Sequence, residues 1–544
     1  MTDPRPVSAP SAAGTLSGLV GAAFAQPELP FLWDPEGAST RTPGGGSWTY
    51  GEAARRVERL RGALDALGLG PGDRVAVQVE KSAFALLLYV ACVRSGVVYV
   101  PLNTGYTDAE VEYVVEDVEP ALVVRDPRLG GSPAGRRTLG ADVTGAGPLA
   151  DLAASAGDEP APDPVLAPGD PAAILYTSGT TGRPKGAVLS QRNLASNALA
   201  LSDAWGFTPH DVLLHALPLF HTHGLFVATN CVLASRSSLR LLARFDVAAV
   251  LGHLDQCTVF MGIPTFYRRL LADERLTATA CSSVRLFTSG SAPLPAEVHR
   301  QFTARTGHHI VERYGLTETS ILTSNPPGAE RPGTVGVPLT GVELRVGGHH
   351  HPGHPGQPGE AHEAAGGDEA GGDEAGGAGA IRVRGPNVFE GYWRRPELRA
   401  TEFDEEGYFD TGDLGTLDAD GYLTIVGRSK DVIISGGYNV YPKEVEEVLD
   451  TIDGVIESAV VGVDDADLGE RVVAVVVAGA GAPTEAALRA RARERLAGYK
   501  VPKSITFATE LPRNAMGKVQ KTLLRARLAA TATGESEPTT PTGS

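Results

Sequence analysis

Short apolar runs recur along the first third of the chain: DRVAVQVE (73–80), VVYVPLN (97–103), ALVVRD (121–126) and AAILYTSG (172–179). Runs of this length, rich in Val and Ile, read as buried β-strands. Between them lie windows with helical spacing of apolar residues. Strands alternating with helices predict parallel sheets joined by crossover helices, an α/β fold. The stretch 127–170 is rich in Gly, Pro and Ala, carries little pattern, and reads as surface loops.

Further along, IRVRGPNVFEGYW (381–393) reads as strand then turn. GYLTIVGRSKDVIISGGYNVYPKEVEEVL (421–449) reads as strand, turn, strand, Gly-rich turn and a helix opened by Pro442 and Lys443. VIESAVVGV and ERVVAVVVAG look like paired strands of a small terminal domain. Residues 347–380 hold a doubled GGDEA unit, five histidines and six acids. That composition cannot bury a core, so the segment reads as a disordered surface insertion, as do residues 1–14 and the tail 531–544.

At 544 residues, the chain has room for several structural units of roughly 100–200 residues each. Its formal net charge of −17 argues against nucleic acid or an anionic membrane as partners. The longest apolar run, FALLLYVACV (84–93), is about half the ~20 residues a membrane span needs. Leu16–Ala25 (LSGLVGAAFA) resembles a leader cleavage region, but the residues before it are poorly basic. It reads instead as an opening amphipathic helix. Cys92, Cys231, Cys257 and Cys281 are scattered singles, which suits buried free thiols and a cytoplasmic protein rather than a zinc or disulfide framework. Oligomeric state is not legible.

The stretch Tyr176–Gly186, YTSGTTGRPKG, has glycines, hydroxyls and a lysine suited to phosphate. It does not follow the nucleotide loop G-x-x-x-x-G-K-[ST]: Pro184 stands at the second glycine and Gly186 at the metal-binding hydroxyl. Four other stretches accompany it in order: ERYGLTET (312–319), YFDTGDLG (408–415), GRSKDVIISGGYN (427–439) and PRNAMGKVQK (512–521). Together the five resemble the adenylate-forming superfamily of acyl-CoA synthetases, peptide-synthetase adenylation domains and luciferases, over about residues 15–528.

That resemblance implies a large N-terminal domain (1–427) and a small mobile α+β C-terminal domain (428–530). It also implies two steps. A carboxylate attacks the α-phosphate of MgATP, releasing pyrophosphate, and a thiol then displaces AMP from the acyl-adenylate. ATP and CoA are thus co-substrates and Mg²⁺ the metal. Thr177, Ser178, Gly179, Thr180, Thr181 and Lys185 would hold the departing phosphates. Glu318 would hold Mg²⁺ with Thr317 near the α-phosphate. Gly290, Ser291, Ala292, Glu312, Arg313 and Tyr314 would form the adenine slot. Asp413 and Arg428 would take the ribose, and Lys518 would stabilise charge in the transition state. Lys430 occupies the hinge position, and Gly436 and Gly437 would line the pantetheine channel.

A finer resemblance is to malonyl-CoA synthetases, through LPLFHTHGL (217–225), GIPTFYRRLL (262–271), VRLFTSGSAPL (284–294), TSNPPGAERPGTVGVPL (323–339) and GPNVFEGYWRRPE (385–397). It implies malonate as the acid, with 2-substituted malonates such as methylmalonate left open. The charged distal carboxylate needs a partner, and the resemblance places it at Arg285, with His221, His223 and Ser289 around the acid. The alternatives are a ligase for another short or aryl acid, an adenylation domain that loads a carrier protein, and a non-catalytic nucleotide sensor. Intact Lys518, Glu318 and Asp413 weigh against the last.

Overall fold

The computed structural model describes residues 14–34, 46–142, 144–156, 162–177, 184–347, 378–465, 467–479, 481, 483–514 and 517–533. Two compact units divide the chain: Met1–Glu343 with Arg384–Ala400, and Leu344–Val383 with Thr401–Ser544.

The first unit holds two largely parallel sheets. In the seven-stranded sheet, Arg74–Gln78 lies between Val98–Pro101 and Leu122–Arg125, all parallel. These are three of the strands expected from their Val-rich runs. The crossover after Arg74–Gln78 is the helix Ala83–Ser95, buried over most of its length. Ser82 caps its start through a bond from the Ala85 N–H, and Gly96, at φ +69°, ends it in the left-handed conformation. The strands Pro171–Thr177 and Lys185–Ser190 run antiparallel and bring Thr177 opposite Lys185 across the phosphate-loop sequence. The stretch read as loops, 127–170, contains the strand Thr138–Gly140 and the helix Pro148–Ala156. Small residues pack that helix against Tyr50–Ala66, so close approach stands in for strong hydrophobic periodicity: an added Cβ on Gly62 would lie 2.6 Å from Ala156.

The nine-stranded sheet has six parallel strands in the order Ile310–Leu316, Leu286–Ser289, Val259–Gly262, Val212–His215, Ser238–Leu241 and Pro30–Asp34. Behind it Phe260, Tyr267, Phe287 and Phe302 form an edge-to-face aromatic cluster. Truncating one of these rings costs about 3–5 kcal/mol. Leu16–Phe24 is a helix with Leu16, Val20 and Ala23 buried, the amphipathic opening element expected.

The second unit contains an antiparallel sheet with strands Glu343–Val346, Gly379–Arg384, Phe409–Leu417 and Leu423–Arg428. A five-stranded sheet around the long pair Val455–Asp465 and Gly469–Ala478 accompanies it. The first of these sheets thus groups with the C-terminal elements, whereas the expected division put it before residue 428. The Lys443 ammonium donates to the Ile425 carbonyl (2.5 Å) and ties the helix Pro442–Asp450 to that sheet. All four cysteines are free and buried. Among the described residues no helix is long and apolar enough to cross a membrane.

Candidate active site

In a parallel sheet the loops at the carboxyl ends of the strands meet in a crevice. Here those ends supply His215, Ser289 and the segment Glu312–Tyr314. Ser291 follows Ser289 in the left-handed region at φ +68°, and Ser320 does so just after Glu318, at φ +51°. Such strain is uncommon for non-glycine residues and concentrates at functional sites.

Arg313 dominates this end of the sheet. Its guanidinium lies over Gly290, where a Cβ would come within 2.4 Å of Cζ, so that glycine makes room for the arginine. Arg313 is buried, and its Nε and Nη2 have no hydrogen-bond partner among the described residues. Burial pulls its pKa down to about 9. The neighbouring groups are imidazoles rather than carboxylates. Burial first, then the Arg313 charge, lowers His221 to about 4 and holds His223 well below the ordinary histidine range. Ser291 Oγ lies 3.3 Å from His223 Nδ1. His223 Nε2 and Ser289 Oγ are also buried without partners among the described residues. Natively folded proteins rarely leave buried polar atoms unpaired, and a cluster of them marks a place for a ligand.

Arg285 does not belong to this cluster. It precedes Leu286–Ser289 at the amino end, four residues and about 13 Å of strand from Ser289. Its Nε and Nη2 bind the two carboxylate oxygens of Asp211, each at 2.8 Å. Nη1 and Nη2 also donate to the carbonyls of Trp205 and Gly206, each at 2.9 Å. Burial pushes Asp211 up, but bonds from Arg285, Thr258 and the Thr208 N–H outweigh it and hold Asp211 at about 2. The expectation that Arg285 anchors the acid is therefore corrected: ligands meet a parallel strand at its carboxyl end, and this guanidinium is spent on structure at the other. Arg313, read from sequence as part of the adenine slot, has hydrogen-bonding capacity to spare at the carboxyl end, where Nε and Nη2 are both without a partner among the described residues.

Glu318 is buried and accepts a hydrogen bond from the Tyr392 hydroxyl (2.8 Å). The Tyr392 ring also faces Lys185, whose Nζ is 4.7 Å from its centroid. The strand Gly391–Tyr392 pairs with Lys185–Ser190, which explains how one tyrosine touches both. The sequence analysis gives Tyr392 no role; the signal for this link is the EGYW run that contains it. Thr177 lies at the loop's start, while Ser178, Gly179, Thr180 and Thr181 fall outside the described residues, as does most of 347–380. Glu312 accepts from the Gly333 N–H (3.3 Å).

In the second unit Asp413 and Arg428 are cross-strand partners with an ion pair of 2.9 Å. Lys518 lies near them. Burial and the Arg428 charge lower its pKa, against the opposing pull of Asp413 and Asp431. Lys430 shares this neighbourhood and is lowered to about 8, first by burial and then by Arg428. Gly436 and Gly437 have φ +60° and +81° in the two-residue turn between Ile433–Ser435 and Tyr438–Val440. That turn requires glycine-type backbone at both positions. Among the described residues nothing lies within 4 Å of a Cβ added at Gly437.

Residues 22–393 match the AMP-binding enzyme family, and residues 444–518 match the AMP-binding enzyme C-terminal domain. A feruloyl-CoA synthase from Amycolatopsis is 38% identical, covering 89% of this chain and 94% of its own. A malonate–CoA ligase from Arabidopsis thaliana is 33% identical, covering 89% and 85%. The crystal structure of ATP-bound MatB from Rhodopseudomonas palustris superposes with a TM-score of 0.84 at 46% identity, covering 94% of this chain and 99% of that one. The chain belongs to the AMP-binding family of adenylate-forming enzymes.

Proposed function

We propose that this protein is an AMP-forming acid–thiol ligase that activates malonate with ATP and transfers it to CoA. The observation that carries the choice of acid is the buried Arg313 guanidinium with unpartnered Nε and Nη2, beside His223 Nε2 and Ser289 Oγ. A malonate dianion has one carboxylate to react and one to place. Arg313 offers a planar fork to the second, and the neutral imidazoles and Ser289 offer further polar contacts. The malonate–CoA ligase relative supports the same reading.

In the first step a carboxylate oxygen attacks the α-phosphorus and the bond to pyrophosphate breaks. Lys518, a cation beside Asp413 and Arg428, is suited to stabilise the negative charge that develops there. Asp413 and Arg428 are suited to hold the ribose once their mutual pair opens, and Thr177 and Lys185 the departing phosphates. Among the described residues no cluster of three or more acidic, histidine or cysteine side chains could cage a metal. A single buried carboxylate, Glu318, fits Mg²⁺, which takes few protein ligands and shares the substrate's phosphate oxygens. Bound there, Mg²⁺ would neutralise phosphate charge. In the second step the CoA thiolate attacks the acyl carbon and AMP leaves. We assign Lys430 to the hinge between the two steps and Gly436–Gly437 to the pantetheine side. The buried free thiols fit a reducing cytoplasm.

The test is AMP release with MgATP and CoA across malonate, methylmalonate, succinate, acetate and benzoate. Leaving a buried charge unpaired costs about 3–5 kcal/mol, so malonate should exceed acetate by about 10²–10³-fold or more. Methylmalonate differs by one methyl, a difference of about 1–3 kcal/mol, and should stay within reach. Acetate or benzoate ahead of malonate would keep the adenylate chemistry and overturn the acid assignment.

A further inference from the structure

Lys81 is a buried lysine bonded to a histidine. It follows the strand Arg74–Gln78 of the seven-stranded sheet and immediately precedes the helix cap Ser82. Its Nζ lies 2.9 Å from His215 Nδ1 and donates to the His215 carbonyl at 2.8 Å. His215 ends the strand Val212–His215 of the nine-stranded sheet, so the pair bridges the carboxyl ends of both sheets. The other imidazole nitrogen, Nε2, lies 2.9 Å from the Gly224 carbonyl.

An ammonium can only donate, and a carbonyl can only accept. His215 must therefore accept at Nδ1 and carry its proton at Nε2, which makes it neutral in a single tautomer. The surroundings agree: burial first, then Lys81, hold its pKa well below the ordinary value, and His215 is in turn among the groups whose charge lowers His223. Gly224 is the second residue of His223–Ala228, a π-helical turn. The Gly224 carbonyl accepts from the His215 imidazole and from the Thr229 hydroxyl (3.2 Å). Gly224 cannot move inward, because even a Cβ there would strike the Pro218 carbonyl at 2.0 Å. π-turns of this kind are costly and tend to sit at functional sites.

We propose that Lys81 and His215 are positioning residues for acid recognition: their buried pair fixes Gly224, and with it the π-turn that carries His223, against the Arg313 pocket. The inference rests on the reading of that pocket as the acid site. If the pair served only to join the sheets, an apolar contact would do so without burying a charge. What the lysine adds is control of the imidazole's tautomer, which a hydrophobic residue cannot exert.

The test compares Lys81→Met, His215→Gln and His215→Asn in the full chain, using whichever acid the wild type turns over fastest. A failure of the malonate assignment then changes the acid and leaves the comparison intact. In Lys81→Met the acid KM should rise about tenfold or more while the ATP KM stays within about twofold, as expected for a lost charged hydrogen bond acting on one substrate. Histidine-labelled NMR should show His215 as the neutral Nε2–H tautomer in the wild type and a mixture of tautomers in Lys81→Met. Should Lys81→Met fail to fold, the His215 pair decides. Gln places an amide donor near the Nε2 position and should keep the acid KM within about threefold; Asn, which cannot reach Gly224, should raise it about tenfold. Equal effects on acid and ATP KM, an unchanged tautomer in Lys81→Met, or equal losses in the Gln and Asn variants would each overturn the proposal.

Discussion

Arg313→Met removes a charge while roughly keeping volume, and its effect can be sized from the structure. Burial lowers the guanidinium from its ordinary range to about 9. At about 1.4 kcal/mol per pKa unit, that corresponds to a penalty on the order of several kcal/mol for keeping the cation there. A carboxylate arriving between Nε and Nη2 offsets this penalty, so the free enzyme holds a site that favours an anion. Removing the guanidinium leaves the distal malonate carboxylate unpaired at a cost of about 3–5 kcal/mol. The kcat/KM for malonate should fall by about 10²–10³-fold or more, while that for acetate, which has no second carboxylate, should change by less than about tenfold. The ligand-free variant should melt at a higher temperature, because an uncompensated buried charge is gone. The assays are AMP release at varied acid concentration and thermal denaturation without substrates. Malonate and acetate falling by the same factor, together with a lower Tm, would show that Arg313 supports the fold and refute its role as anchor.

Arg285→Ala should lower Tm and leave the malonate preference in place, since its guanidinium is engaged by Asp211 and two carbonyls. Asp211 has a folded pKa of about 2, below its ordinary 3.8. Its stabilisation is therefore present above the ordinary value and lost as pH falls from there through about 2; acid unfolding in the variant should show a shallower dependence across that window. Lys518→Ala should abolish adenylate formation yet spare thioester formation from supplied malonyl-adenylate, measured as separate half-reactions; equal loss of both would remove its assigned role. Tyr392→Phe should raise the Mg²⁺ concentration needed for half-maximal turnover by about tenfold, because the Glu318 carboxylate loses its hydroxyl partner; an unchanged Mg²⁺ requirement would argue against Glu318 as the ligand. Deleting residues 350–375 should leave kcat unchanged, as the Gly347 N–H already meets the Ala380 carbonyl at 3.2 Å, so the flanking strands stay joined without the segment; a large loss of kcat would contradict this.

Local patterns made much of the fold legible from the chain. The Val-rich runs became the strands Arg74–Gln78, Val98–Pro101 and Leu122–Arg125. Pro442 opened the helix Pro442–Asp450, and VIESAVVGV paired with ERVVAVVVAG as Val455–Asp465 with Gly469–Ala478. The helix Pro148–Ala156 was missed because small residues, chosen for close packing on another helix, carry little periodic signal.

Function divides in the same way. The five motifs identified an adenylate-forming enzyme, since each is a short run whose chemistry lies in neighbouring residues. Which arginine meets the acid is a different kind of fact. Arg285 is satisfied by Asp211, 74 residues away, while Arg313, against Gly290, keeps Nε and Nη2 without a partner among the described residues. The bridge from Lys81 to His215 spans 134 residues and two sheets. A sequence displays which groups can donate and accept. Whether a given group is already satisfied, and at which end of its strand it stands, depends on partners that folding alone brings within hydrogen-bond distance.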